Sequence, residues 1–218
     1  MASLVQDVWL GWEPRLRGLR LAPWTDPRAR LLFHLDAGET LADRKTSLFL
    51  DALAETLEVV AWEPRGQGAS GGRFGPEVLD DARRLVTEGT AGWGELPLVL
   101  GGHGLGGWLA LALAATSGVE AAFALAPSLA GAGPEPSSPL RTMLAGAFAR
   151  PPLSVPTLVV EGRERKPAEA EAVSLWLARE PRASRLLAGA EDADVLAPPW
   201  PAVVAAWAEA AATGARVE

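Results

Sequence analysis

Few residues of this chain have the chemistry for nucleophilic catalysis, and the best placed of them surround one glycine-rich segment. The chain has no cysteine and only two histidines, His34 and His103. His103 lies in the segment Gly102-His-Gly-Leu-Gly-Gly107, with an apolar run on each side. A strand, a sharp glycine turn and a helix in this order form a nucleophile elbow, which presents the serine of a Gly-x-Ser-x-Gly sequence to a pocket. Here the serine position is Gly104, which has no side chain to attack with.

Two serines near the ends of predicted strands, Ser70 and Ser128, are the other candidate nucleophiles. Ser70 lies in a glycine-rich loop, and Ser128 lies in a Pro-, Ser- and Gly-rich segment that holds no base. His34, His103 and an acid lack the short spacing typical of a metal site. The glycines of the loop around Ser70 match no phosphate-binding or dinucleotide-binding fingerprint. The sequence therefore predicts neither a metal ion nor a cofactor.

The composition is that of an acidic globular protein. The 218 residues include 27 Asp and Glu against 20 Lys and Arg, and the formal net charge of -7 argues against a nucleic-acid binder. The N-terminal residues do not resemble a signal peptide, and polar residues interrupt the most apolar stretch, 105–132, so no membrane span is expected. We therefore predict a cytoplasmic protein, a single domain over residues 1–218, and a monomer or homodimer.

The elements that would position these residues alternate between strands and helices. Helical or alternating spacing of apolar residues predicts a strand hairpin at 5–12 and 16–24, further strands at 30–35, 58–62, 96–100, 119–126, 157–161 and 184–188, and helices at 45–57, 76–87, 108–115, 168–179 and 199–212. Residues 127–156, with one short helix at 140–148, would form a small cap. The alternation predicts an α/β protein, a three-layer α/β/α sandwich with a mainly parallel sheet and an N-terminal antiparallel hairpin. Candidate site residues are then those just past each strand.

Four segments make the sequence resemble the α/β-hydrolase superfamily over nearly the whole chain. The strand and loop at 31–38 resemble those that carry a His-Gly pair and an oxyanion-hole amide. The loop at 63–70, Glu-Pro-Arg-Gly-Gln-Gly-Ala-Ser, resembles the family's Asp-x-Arg-Gly-x-Gly-x-Ser. The segment 102–107 resembles Gly-His-Ser-x-Gly-Gly with only the serine changed, and 156–162 resembles the late strand that precedes the catalytic acid.

The resemblance implies a catalytic triad whose three positions are degenerate in this chain. The nucleophile position is Gly104, the acid position is Arg165, and the histidine position is Glu191, or its neighbour Asp192. No histidine follows His103, so a serine hydrolase would have no general base at the expected place. The resemblance also implies a pocket at the elbow, whose candidate lining residues are His34, Leu35, Asp36, Trp62, His103, Leu105, Trp108 and Asp192.

Three hypotheses about function follow. The first is a non-catalytic protein, a pseudoenzyme, that binds a small apolar or mixed-polarity molecule or a protein partner in the old pocket. The second is a hydrolase or lyase of altered mechanism that uses His103 or His34 as a base, assisted by Glu191 or Asp192, without a serine nucleophile. The third is a structural subunit whose pocket is filled by side chains. A cavity beside Gly104 would separate the third hypothesis from the first two.

Overall fold

The computed structural model describes residues 4–10, 13–89, 94–128, 153–189 and 191–214, and within them eight strands form one sheet. In chain order the strands are β1 (Leu4–Leu10), β2 (Leu16–Ala22), β3 (Arg30–His34), β4 (Glu58–Trp62), β5 (Leu98–Gly102), β6 (Val119–Leu125), β7 (Thr157–Glu161) and β8 (Ala183–Leu187). Their order across the sheet is β1-β2-β4-β3-β5-β6-β7-β8. β2 runs antiparallel to both β1 and β4, and every other neighbouring pair is parallel.

Helices cover both faces of this sheet. They are α1 (Arg44–Leu53), α2 (Val78–Arg84), α3 (Leu105–Leu113), α4 (Pro167–Leu177) and α5 (Trp200–Thr213), with a π-helical turn at Leu85–Gly89 and a 3-10 helix at Asp192–Leu196. One apolar cluster packs α2, α3 and α4 against the sheet, and a second packs α1 and α5 against the opposite face. Because both faces are covered, the central strands β3, β4 and β7 are buried at every position. The predicted three-layer α/β fold with its N-terminal hairpin is confirmed.

The predicted bounds are right for two strands and wrong around the glycine-rich segment. β4 and β7 have the predicted bounds, whereas β5 continues past Leu100 to Gly102, and α3 begins at Leu105 instead of Trp108. The two glycines that extend β5 are needed for close packing, since a methyl group at Gly101 would lie 2.2 Å from the Phe123 ring. The turn is therefore shorter than the run of glycines suggests.

Two other helices also differ from the prediction. α1 ends at Leu53, four residues early, and the helix predicted at 76–87 gives way to the π-helical turn at Leu85. The predicted cap at 127–156 and its helix at 140–148 lie mostly outside the described residues. Within the described part of the chain, no helix is long and apolar enough to cross a membrane.

Candidate functional site

The turn between β5 and α3 has the geometry of a nucleophile elbow. Gly104 has φ +53° and ψ −117°, a backbone conformation that few residues other than glycine adopt at low cost. Its N–H donates to the Leu125 carbonyl at 2.9 Å, and its own carbonyl accepts from Ser128 N–H at 3.1 Å. Gly106 packs directly on β3, where a methyl group would lie 1.9 Å from the His34 carbonyl oxygen. The strained turn is thus held by backbone contacts on both sides.

The carboxylate of Asp36 occupies the space beside the elbow residue. A methyl group at Gly104 would lie 2.1 Å from Cγ of Asp36, well inside van der Waals contact. Asp36 Oδ1 accepts hydrogen bonds from Leu105 N–H at 2.7 Å and from Ala37 N–H at 2.8 Å. Burial raises the pKa of the Asp36 carboxyl, although the Leu105 N–H and the nearby His103 act in the opposite direction. A carboxylate therefore lies where a serine side chain would project.

Glu39 links Asp36 to the histidine that precedes the elbow. Glu39 Oε2 accepts from Asp36 N–H at 3.0 Å, and Glu39 Oε1 lies 2.7 Å from His103 Nδ1. Burial by itself would raise the pKa of the Glu39 carboxyl, but the hydrogen bond and charge of His103 hold it below its usual value. A carboxylate on Nδ1 fixes the orientation of an imidazole and stabilises its protonated form, as in a catalytic triad. The contact therefore fixes the orientation of the His103 ring beside the elbow.

His34 lies in the core behind the elbow, not in the pocket. Its ring is fully buried, and Trp62 Nε1 donates to His34 Nδ1 at 2.8 Å. Burial lowers the pKa of His34 to about 3, because the charged ring would lose its hydration. His34 is consequently neutral near pH 7 and too weakly basic to serve as a general base there. The sequence-based proposal that His34 is a pocket base is not supported by this geometry.

Arg165 follows β7 at the position predicted for the degenerate acid. Its side chain is 3 % exposed, and it donates to Glu161 Oε2 at 3.0 Å and to the Pro127 carbonyl at 2.8 Å. Glu161, fully buried at the end of β7, also pairs with Arg185 of β8. The guanidinium is thus anchored in a buried ion-pair cluster and presents positive charge where the family pattern has a carboxylate.

A cavity of about 500 Å³ lies beside Gly104. Its walls carry both charge signs. The lining residues include Asp36, His103, Gly104, Ser128, Arg165, Lys166 and Glu191. Glu191 is exposed and lies at the N-terminus of the 3-10 helix, where its N–H donates to Asp194 Oδ2 at 3.0 Å. The presence of this cavity gives no support to the hypothesis that side chains fill the pocket.

All but one of the predicted site residues fall into two groups. Asp36, His103, Gly104, Arg165 and Glu191 come together around the cavity. Asp192 begins the 3-10 helix. The remaining candidates are core residues that are at most 3 % exposed: His34, Leu35, Trp62, Leu105 and Trp108.

Ser70 has a structural role in the loop after β4. Its hydroxyl donates to the Glu63 carbonyl at 2.7 Å and accepts from Arg17 N–H at 2.8 Å. The buried Glu63 carboxylate in turn accepts from Ala69 N–H at 2.7 Å and from Leu41 N–H at 3.1 Å. These hydrogen bonds therefore hold the loop against the sheet. The Ser70 hydroxyl already donates one hydrogen bond and accepts another, as expected for a structural residue.

Sequence reasoning missed Glu39, which is the partner of His103. The sequence did offer one signal for Glu39: it is a carboxylate three residues after Asp36, in a loop that was expected to lie beside the elbow. Within the described residues, no group of three His, Cys, Asp or Glu side chains could hold a metal ion.

Comparison with known proteins agrees with this architecture. A family model described as serine aminopeptidase, S33, matches residues 41–205. No match is found among the curated proteins.

Several solved structures share the fold at low sequence identity. The esterase Pf2001 of Pyrococcus furiosus is 15 % identical with a TM-score of 0.78, covering 96 % of this chain and 91 % of that one. An alpha-beta serine hydrolase homologue from Coxiella burnetii is 16 % identical with a TM-score of 0.70, covering 96 % and 97 %. Est1E from Butyrivibrio proteoclasticus with bound ferulic acid is 13 % identical with a TM-score of 0.74, covering 93 % and 96 %. At these identities the likeness establishes the α/β-hydrolase fold.

Proposed function

This chain belongs to the serine aminopeptidase S33 family, and we propose that within it the protein is a non-catalytic member that binds a small molecule in the retained cavity. The observation that carries the proposal is the position of the Asp36 carboxylate. It fills the space of an elbow side chain and accepts the Leu105 N–H at 2.7 Å.

The amides that would stabilise an oxyanion are already occupied by carboxylates of the chain itself. In this fold the donors are the N–H of the residue after the nucleophile and an N–H from the loop after β3. Leu105 N–H and Ala37 N–H donate to Asp36 Oδ1, and Asp36 N–H donates to Glu39 Oε2. A substrate oxyanion would have to displace a negatively charged group from these donors, which removes much of their catalytic value.

The residues at the other two triad positions support the same conclusion. Arg165 holds a positive charge at the acid position and is engaged by Glu161. A serine mechanism needs a histidine to accept the proton of the nucleophile, and the sequence has none after His103.

The cavity supports a binding role. Its volume, about 500 Å³, lies in the range that holds small organic ligands. Lys166 and Glu191 in its walls offer opposite charges, so a ligand of mixed polarity fits better than a purely apolar one. A cytoplasmic location and a monomeric or homodimeric state stay predictions.

The experiment is labelling with a fluorophosphonate probe together with hydrolysis of short-chain aryl esters, using an active esterase as the positive control. We expect neither labelling nor hydrolysis above background for the unaltered chain and for Gly104→Ser. The single substitution fails because its side chain meets Asp36 and because no histidine accepts its proton. Robust ester hydrolysis that one pocket substitution abolishes would overturn the proposal.

Binding is tested separately. Native mass spectrometry of the purified chain is expected to detect a co-purified small molecule, and the bulky substitution Ser128→Trp in the cavity wall is expected to abolish it. The matched control Ser174→Trp lies on the exposed outer side of α4 and should leave the bound mass unchanged. A bound mass that survives Ser128→Trp would place the ligand elsewhere and contradict the proposal.

A second candidate function is favoured by the contact between His103 and Glu39. The 2.7 Å contact gives His103 the carboxylate partner of a general base, in place of the assistance from Glu191 or Asp192 that the sequence suggests. The reaction would then be hydrolysis or elimination without a covalent intermediate.

Assays on esters, thioesters and epoxides over pH 5–9 test this alternative. It requires activity that follows a single ionisation and is lost in His103→Ala. Glu39→Gln should shift the pH profile as well as lower the rate, since Glu39 acts only through His103. Absence of activity on all three substrate classes would exclude this alternative for them.

A further inference from the structure

We propose that a second cavity, which shares His103 with the first, binds the phosphate group of a small phosphorylated molecule. This cavity measures about 360 Å³ and opens at the N-terminus of α1, where Arg44, Lys45 and Thr46 line it. The inference does not depend on the proposed absence of serine chemistry, because it uses none of the triad positions.

The first turn of α1 presents unbonded backbone donors to this cavity. Asp43 precedes the helix, but its side chain makes no capping bond and accepts instead from Thr40 N–H at 2.6 Å. The first helical hydrogen bond runs from Ser47 N–H to the Asp43 carbonyl. The N–H groups of Arg44, Lys45 and Thr46 therefore have no partner within the described residues. Free N–H groups and the positive end of the helix dipole together favour an anion.

Thr46 supplies independent evidence for a ligand. The residue is 2 % exposed and lines the cavity, and its hydroxyl has no hydrogen-bond partner in the described part of the chain. Its hydroxyl is not among the fully enclosed polar atoms that lack a partner, so it opens onto the cavity, where the oxygen of a bound molecule can bond to it. A ligand oxygen at the helix terminus would satisfy this hydroxyl.

Two cationic side chains in the cavity wall can pair with an anion. Arg44 and Lys45 have exposed side chains without an ion pair among the described residues. The two acids in the wall are already engaged, Glu39 by His103 and by Asp36 N–H, and Asp43 by Thr40 N–H. The wall thus holds two carboxylates as well as two cations, and the donor groups of the two cations stay available to a ligand.

The number and type of donors favour phosphate over carboxylate. Backbone N–H groups, one hydroxyl, a guanidinium and an ammonium can each engage a different oxygen of a tetrahedral anion. A carboxylate has only two oxygens and would leave part of this set unused.

The experiment titrates inorganic phosphate into the full chain by calorimetry at constant ionic strength, with acetate titrated in parallel. We expect phosphate to bind at least ten times more tightly than acetate. Lys45→Gln and Thr46→Val should each weaken phosphate binding about tenfold. The matched control is Lys166→Gln, which removes the chain's only other lysine, in the wall of the first cavity, and should change phosphate affinity less than twofold.

Thr46→Val also separates lost binding from lost folding. Because the hydroxyl has no partner, the variant should be as stable as the unaltered chain in phosphate-free buffer. It should, however, lose the rise in Tm that phosphate gives the unaltered chain. Equal affinity for phosphate and acetate, unchanged binding in both variants, or an equal loss in Lys166→Gln would overturn the proposal.

Discussion

The elbow has two sides that are built by different means. Its floor, on the core side, consists of backbone contacts and one neutral hydrogen-bonded pair: Gly102, Gly106, His34 and Trp62. Its rim, on the cavity side, consists of charged groups: Asp36, Glu39, His103 and Arg165. The floor is buried, and its glycines meet neighbouring backbone at distances that no side chain tolerates. The rim is held by hydrogen bonds between carboxylates and their donors.

The difference shows that the elbow does not need its nucleophile in order to keep its shape. None of the floor contacts named above uses a side chain at position 104, so the residue type there matters little to the floor. The rim, by contrast, depends on which side chains are present. Substitutions on the floor should therefore cost stability, and those on the rim should alter local contacts, binding and chemistry.

The largest expected effect is the response of the floor to acid. The unfolded chain protonates His34 near pH 6.5, whereas the folded chain holds its pKa at about 3. The unfolded state therefore binds more protons between these pH values. Stability is unaffected by this group above pH 6.5 and falls on acidification by about 1.4 kcal/mol per pH unit, up to about 5 kcal/mol.

Urea unfolding at pH 7.5, 6.5 and 5.5 measures this slope in a range where carboxyl groups of ordinary pKa stay ionised. NMR of the ring protons provides a direct control, because the chain has only two histidines. A His34 ring that titrates near pH 6.5 in the folded protein would contradict the prediction.

The next effect is Gly106→Ala, which places a methyl group 1.9 Å from the His34 carbonyl oxygen. Because backbone cannot move aside as a side chain can, we expect a loss of about 3 kcal/mol or more in the free energy of unfolding. The control is Gly71→Ala, where the nearest atom lies 3.5 Å away and φ is not positive. This variant should lose less than about 1 kcal/mol. Equal losses in urea unfolding would show that the floor is not tightly packed.

A double-mutant cycle between Gly104→Ala and Asp36→Ala tests the contact between elbow and rim. Gly104→Ala should be destabilising because its methyl group meets the Asp36 carboxylate. Part of this loss should disappear when Asp36 is already alanine, and the rest reflects the positive φ. We expect a coupling energy of about 2 kcal/mol from urea unfolding of the four proteins. Additive losses would mean that the carboxylate does not occupy the space of the elbow side chain.

The smallest expected effect is a difference in stability loss between two substitutions, at Trp62 and at Trp108, which are buried in the same core cluster. Trp62→Phe removes the donor to His34 Nδ1, whereas Trp108 Nε1 has no partner within the described residues. Both substitutions lose the same atoms, so Trp62→Phe should cost about 1 kcal/mol more than Trp108→Phe. If Trp108→Phe costs as much, the hydrogen bond to His34 contributes nothing measurable.

The fold and part of the rim follow from the sequence, and the rest depends on side-chain direction. Position just past a strand was enough to bring Asp36, His103 and Arg165 to the cavity. The same rule failed for His34, because it is the last residue of β3 and pairs in register with Trp62, the last of β4. Their side chains lie on one face of the sheet, under a helix, and no local pattern reveals that a terminal strand residue turns inward.

Glu39 and Thr46 were missed for a different reason. The position of Glu39 three residues after Asp36 places it near the elbow, but its partner His103 is distant in the chain, and the lack of a partner at Thr46 has no sequence pattern. Thr46 looks in the sequence like an ordinary residue of the first helical turn, and only its burial beside an open cavity distinguishes it.

The Asp36 carboxylate also limits which single substitutions could introduce a nucleophile at the elbow. A side chain at position 104 and the present place of Asp36 exclude each other. A design that aims at serine chemistry in this chain therefore has to replace Asp36 together with Gly104 and to supply a histidine that accepts the proton of the nucleophile. Positions 36 and 104 are best varied as one unit.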